Sequence, residues 1–230
     1  MIIGENTNNF DIKMPGGAYY AQKDLPTFNA YITIVVKDSN GNIINIHRQR
    51  SHSPTKNFIG LLIPVYYLNS NNLGVTIVNV TGESTTFSPS TLNGISYPSN
   101  QENSPSYLVM IQVGSGSQPN PASATSLASP IANGTSSGQL LYGTPSISAS
   151  IMVSGSSAYF YISQAFINNS GSTISVTEIG IITNLNSYGP YGGHSYSFGQ
   201  VLVWYDVLSS PISIPNGGTL VIYYTFTVNP

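Results

Sequence analysis

Side chains able to do chemistry are scarce in this chain of 230 residues, which has eight Asp and Glu, three His and no Cys. His194, Ser195 and Asp206 supply the residue types of a hydrolytic triad, in which an oriented imidazole activates a hydroxyl beside an oxyanion hole. Their spacing brings no such orientation, and a loop His and Ser beside a strand-end Asp is the plainer reading. A glycosidase pair would have to come from Glu83, Glu102, Glu178 and Asp206, the only carboxylates after residue 56. Glu178 and Asp206 sit in apolar alternating runs, so burial with hydrogen bonds to neighbouring backbone is expected of each. His47 and His52 could join a metal site with a carboxylate, but no further ligand lies close in sequence and both fall in a basic strip. The turn Gly114-Ser115-Gly116 lacks the Lys-Ser/Thr ending and following helix of a phosphate loop. Without cysteine there is no thiolate nucleophile, disulfide framework or Cys-ligated metal. The expectation is a protein that is not an enzyme and needs no cofactor or metal.

Two groups of residues suit recognition better than reaction. Tyr188, Tyr191 and Tyr196 lie in a Tyr/Gly-rich stretch, NLNSYGPYGGHSYSFG, at residues 184–199. Tyrosine offers a large contact area at low entropy cost, so these three are candidates for receptor, glycan or subunit contact, with plain loop packing as the alternative. Asn79, Asn133 and Asn168 begin N-x-S/T sequons and are candidate glycosylation sites.

Charge is the unusual property. Only 6% of residues are charged, against roughly 25% in an ordinary soluble domain. All six basic residues, Lys13, Lys23, Lys37, Arg48, Arg50 and Lys56, fall in the first 56 positions. Beyond them, solubility rests on amides and hydroxyls. Such a surface is nearly indifferent to pH, whereas one built on ion pairs loses its carboxylate charge near pH 4. An acidic environment and packing against copies of itself would each favour it. Nucleic-acid binding is disfavoured over most of the chain, because phosphate contacts need cations. The strip from His47 to Lys56 could meet an acidic partner.

The elements that must position these residues are strands. Apolar runs rich in Ile, Val, Tyr and Phe alternate with Gly, Pro, Ser and Asn, the pattern of an all-β sandwich of jelly-roll or immunoglobulin-like type. Residues 1–29 read as an arm or peripheral segment, and 30–230 as the sandwich, with possible sub-boundaries in loops 81–106 and 114–145. Residues 30–36 and 42–46 flank Asp38-Ser39-Asn40-Gly41 and predict a hairpin. Ser53-Pro54 reads as a helix start and Pro64 as its stop, giving one short helix at 54–63. Strands are expected near 73–80, 107–113, 146–153, 158–167, 173–182, 200–207 and 219–228. The last alternates most strictly. The longest apolar stretch, 58–68, is too short to span a bilayer. The N-terminus lacks the basic and apolar regions of a secretory signal.

The order of five segments resembles virion structural proteins, tail or capsid-associated, of tailed bacteriophages and archaeal viruses. A cationic stretch leads to Ser53-Pro54-Thr55-Lys56-Asn57-Phe58. Val113-Gly114-Ser115-Gly116 follows, then Leu127-Ala128-Ser129-Pro130-Ile131. Phe166 to Gly171 (FINNSG) leads to Val176-Thr177-Glu178-Ile179-Gly180. Asp206 to Gly217 (DVLSSPISIPNG) precedes the final strand. The resemblance covers about residues 47–230. It implies a non-enzymatic subunit of the particle, at its surface, vertex, tail or fibre, whose partners are copies of itself and other virion proteins. A host glycan or receptor is a further possible partner. The low-charge, Asn/Tyr/Ile-rich style is similar to viruses of acidophilic archaea. Synthesis in the host cytoplasm and exposure in the released virion are then expected. The alternatives are a subunit of an extracellular cell-surface filament or adhesin, and a glycan- or receptor-binding tail protein.

Overall fold

The computed structural model describes residues 12–13, 19–20, 27–51, 53–66, 75–87, 109–148, 150–188 and 195–229. Strands β1 (Ile12–Lys13) and β2 (Tyr19–Tyr20) pair with each other alone. Then follow β3 (Thr27–Lys37), β4 (Ile43–Ser51), α1 (Lys56–Tyr66), β5 (Val75–Val78), β6 (Ser84–Phe87) and β7 (Val109–Gly114). The second half holds β8 (Leu141–Tyr142), β9 (Ser146–Ile147), β10 (Met152–Ser154), β11 (Ser157–Ile167), β12 (Ile174–Tyr188), β13 (Ser195–Ile214) and β14 (Thr219–Asn229).

The chain is an all-β sandwich with one short helix. The larger sheet runs β10-β11-β14-β3-β4, with β8 and β9 also paired to β11, and the smaller runs β13-β12-β7. Alternation along each strand explains the packing, because successive side chains leave on opposite faces. Ile32, Ile34 and Val36 of β3, Leu220, Ile222, Tyr224 and Phe226 of β14, and Phe166 of β11 point inward. They meet Ile111, Val113, Val176, Ile179, Ile181, Trp204 and Ile212 of the smaller sheet in one core. Each such side chain contributes roughly 1.5–3 kcal/mol by leaving water. Trp204 sets its ring edge against Phe226 at 5.2 Å, and Phe160 stacks on Phe226 at 4.9 Å.

The smaller sheet is covered on its other face too. Leu127 and Ala124 pack on Ile182, Leu202 and Tyr205, while Leu61 of the helix packs near Ile77, Leu185 and Val201. A strand buried on both sides reads as a continuous apolar run, which is why β12 carries Ile179-Gly180-Ile181-Ile182 without alternation.

The expected first hairpin forms, held by Asp38. Its Oδ1 accepts the Asn40 and Asn42 amides, both at 2.9 Å, and Gly41 takes φ 84°. The hydrogen bonds to Asn42 hold the Asp38 carboxyl below its ordinary pKa. Several boundaries differ from expectation. The arm gives way to β3 at residue 27 rather than 30. The helix starts two residues later than predicted and continues past Pro64 to Tyr66. Pro54 is no first helical residue: it bridges to Trp204 in the strand manner. The cap is Thr55, whose Oγ1 accepts the Phe58 amide at 3.4 Å. Pro64 has no N–H to donate to the Gly60 carbonyl. The expected loop 81–106 contains β6, because Gly82 at φ 88° and the Asn79 side chain turn the chain back on itself. The run 146–153 is broken into β9 and β10. The strands β12 and β13 extend through most of the stretch read as a Tyr/Gly loop.

Candidate functional site

Glu178 is fully buried on β12 and accepts four hydrogen bonds. Its Oε1 accepts the Ser129 amide at 2.7 Å and the Gly116 amide at 3.1 Å. Its Oε2 accepts the Ala128 amide at 2.9 Å and the Tyr205 hydroxyl at 2.8 Å. Four donors and no acceptor surround the group, the complement of a carboxylate. The glycines of the V-G-S-G turn make this approach possible. A Cβ on Gly114 would lie 2.4 Å from Glu178 Oε1 and 2.7 Å from the Ser129 carbonyl, and one on Gly116 would lie 2.7 Å from Ala128 Cβ. A Cβ on Gly180 would meet Leu202 at 2.5 Å and Leu127 at 3.0 Å. Tyr205 donates its hydroxyl hydrogen bond to Glu178 and accepts the Gln118 amide at 2.6 Å. Burial, and then the bond to Glu178, raise its pKa. The Tyr142 hydroxyl donates to the Ile131 carbonyl at 2.6 Å, and burial pushes its pKa up to about 12. The long connection after β7 is thus clamped to the sheet.

Asp206 belongs to a separate network. The Trp204 indole N–H donates to the Ser51 hydroxyl, which donates to Asp206 Oδ2 at 2.6 Å; the Tyr224 hydroxyl donates to the same oxygen at 3.0 Å. Burial, followed by the Asp206 charge, raises the Tyr224 pKa well above its ordinary value. Asp206 pairs with Ile179 across the ladder, next to the Glu178–Val207 rung. Neighbouring rungs face opposite sides of a sheet, so Asp206 points between the sheets and Glu178 points toward the 114–131 connection. The two carboxylates do not face a common cleft as a glycosidase pair would.

Other segments quoted above are polar fasteners as well. Asn57 donates to the Val78 carbonyl at 2.9 Å and accepts the Val78 amide at 3.2 Å. Thr55 Oγ1 donates to the Leu202 carbonyl at 2.8 Å. Asn168, fully buried, donates to the carbonyls of Ser172 and Ile214, each at 2.8 Å. Its main chain is bonded to Gly217 and Gly218 beyond β13.

The remaining candidates are dispersed. His47 Nε2 lies 3.0 Å from Gln49 Oε1, and His52 falls outside the described residues. Among the described residues no three His, Cys, Asp or Glu are placed to hold a metal. Ser195 opens β13, opposite Tyr188, while His194 is outside the described residues, as are Tyr191 and Glu102. Glu83 accepts a bond from Asn79. Tyr188 and Tyr196 occupy adjacent rungs at the end of the β12–β13 ribbon. The sequons divide sharply. Asn79 and Asn168 are buried, with each side-chain nitrogen donating two hydrogen bonds. Asn133 is exposed, and its Oδ1 accepts the Tyr142 amide at 2.9 Å. No described helix is long and apolar enough to cross a membrane.

Burial of Glu178 with hydrogen bonds to backbone was expected; the distant segments that supply them were not, although the small residues at 114 and 116 were a visible signal. Comparisons with protein-family models, curated proteins and solved structures find no match to this chain.

Proposed function

We propose that the chain is a non-enzymatic structural subunit of a virus particle, of the archaeal-virus type, exposed on the virion and assembled with copies of itself and other virion proteins. The observation that carries this reading is the convergence on Glu178. Three of the segments that resemble virion proteins, at 113–116, 127–131 and 176–180, meet there in one clamp. The resemblance therefore lies in residues that build a frame, as expected of a scaffold subunit. The near-absence of charge beyond Lys56 supports packing within an assembly or exposure to acid. The test is mass spectrometry of purified particles combined with cryo-microscopy: the chain recurs in a regular array if the reading is right, and its absence from particles refutes it. A cell-surface filament subunit is the second reading, favoured by the open edge of β4, and recovery of the chain from sheared filaments would support it. A glycan- or receptor-binding role would centre on Tyr188, Tyr191 and Tyr196. If their replacement leaves adsorption unchanged, that role falls.

A further inference from the structure

The larger sheet ends in two unlike edges. One is made of three short pieces, β8, β9 and β10, and the other is β4, a nine-residue strand paired, among the described residues, with β3 alone. Backbone alternation tells which atoms of β4 are free. Gly143 and Ser148 donate to the carbonyls of Ala165 and Tyr161 at 2.8 and 3.0 Å, so the odd residues of β11 bond outward. Carried through the β11–β14, β14–β3 and β3–β4 registers, the alternation directs the amides and carbonyls of Ile46, Arg48 and Arg50 away from β3. No described residue meets them.

An open edge of this length is a template for another strand, and proteins commonly blunt such edges. Here Ile43, Ile44 and Ile46 are 57%, 52% and 53% exposed. Arg48 and Arg50 follow on the same side, and Arg50 donates to the neutral Asn29 Oδ1 at 2.7 Å. The described carboxylates are committed elsewhere, Asp38 to its own turn, Glu83 to Asn79, and Glu178 and Asp206 to the interior. The complement to a cationic, apolar edge is an acidic extended segment that keeps its backbone donors. Within this chain Glu102 is flanked by Pro98 and Pro105, and Asp24 is followed by Pro26; proline cannot donate to a ladder. Residues 1–11, MIIGENTNNFD, carry Glu5 and Asp11 with no proline and no basic side chain.

We propose that the free edge of β4 accepts residues 1–11 of a neighbouring copy as an added strand. The inference rests on the chain being a multimeric subunit. Ile3 and Glu5 have the same spacing as Ile46 and Arg48, so a parallel alignment sets isoleucine beside isoleucine and carboxylate beside guanidinium on one face. Main-chain bonds supply affinity and the alternate side chains supply register, the mode of strand addition.

The absence of cysteine makes the test clean. Full-length Ile3→Cys and full-length Ile46→Cys are mixed under mild oxidation, so that only a link between copies can form. A disulfide-linked dimer is expected, at least five-fold above the yield from Ile3→Cys mixed with Val153→Cys, whose cysteine lies on the opposite edge. Arg48→Glu in the acceptor should lower the yield several-fold, and Glu5→Lys in the donor should then restore it. A yield no higher than that control, or no rescue by the charge exchange, overturns the proposal. If particles contain the chain while the cross-link fails, the edge assignment is wrong and the virion reading stands. If the cross-link forms and particles lack the chain, the reverse holds.

Discussion

The Tyr205 hydroxyl donates to Glu178 Oε2 at 2.8 Å, and through it β13 holds the carboxylate that β12 offers to the connection after β7. The three other donors to that carboxylate are backbone amides. Glu178→Gln keeps the shape but turns an acceptor into an NH₂ group facing other donors. A loss of about 2–4 kcal/mol is expected, since a buried polar group left mispaired costs more than a hydrogen bond contributes. Urea unfolding measures it. Tyr205→Phe should cost less, about 1–2 kcal/mol, and the double variant should cost less than the sum. Strict additivity would mean that the two groups do not act as a unit.

The clamp also predicts which glycine cannot change. Gly114→Ala places a methyl group against the Ser129 carbonyl and Glu178 Oε1, each already held by hydrogen bonds. Destabilisation of about 2–4 kcal/mol is expected from overpacking and the disturbed clamp. Calorimetry should show a lower melting temperature. An unchanged one would require the 114–131 segment to sit differently.

Alkaline pH should unfold the protein through its buried tyrosines. Tyr142, Tyr205 and Tyr224 all have raised pKa values in the folded state. Their stabilising contribution is complete below the unfolded value near 10 and is lost as pH rises through the folded values, about 12 for Tyr142. The phenolate absorbance of these three tyrosines, out of sixteen, should therefore rise late and together with loss of structure. At the acid end Asp38 behaves oppositely. Its lowered pKa gives a contribution present above 3.8 and lost as pH falls through the folded value. Independent titration of Tyr224 in the intact fold would contradict the burial described.

Glycan occupancy should follow exposure. Expression in a glycosylating host, read by peptide mass spectrometry, is expected to show Asn133 modified and Asn79 and Asn168 bare in folded protein. A glycan on Asn168 would displace its bonds to Ser172 and Ile214 and is expected only on chains that have not folded.

The sandwich was legible where alternation was strict. In β14, Leu220, Ile222, Tyr224 and Phe226 share the buried face, and in β3, Ile32, Ile34 and Val36 do the same. Boundaries failed where a local signal had two meanings. Ser53-Pro54 suits a helix start, yet Pro54 docks on Trp204 and Thr55 takes the cap. Residues 184–199 have turn composition, yet at 184–188 and 195–199 the backbone continues the ladder that β12 and β13 already impose. The clamp was unreadable for a different reason. Three partners of Glu178 are backbone amides 62, 50 and 49 positions away, and an amide leaves no mark on residue type. Only the glycines that make room for them show in the sequence.

The position of β3 between β4 and β14 sets an order on biosynthesis. The β3–β4 hairpin leaves the ribosome early, but the strand that flanks β3 on its other side is made after every other strand. Until then the inward row of Ile32, Ile34 and Val36 has no sheet neighbour at β3's second edge. The nascent chain must keep a sticky half-sheet out of trouble until β14 emerges, and closure of the sandwich waits on that strand.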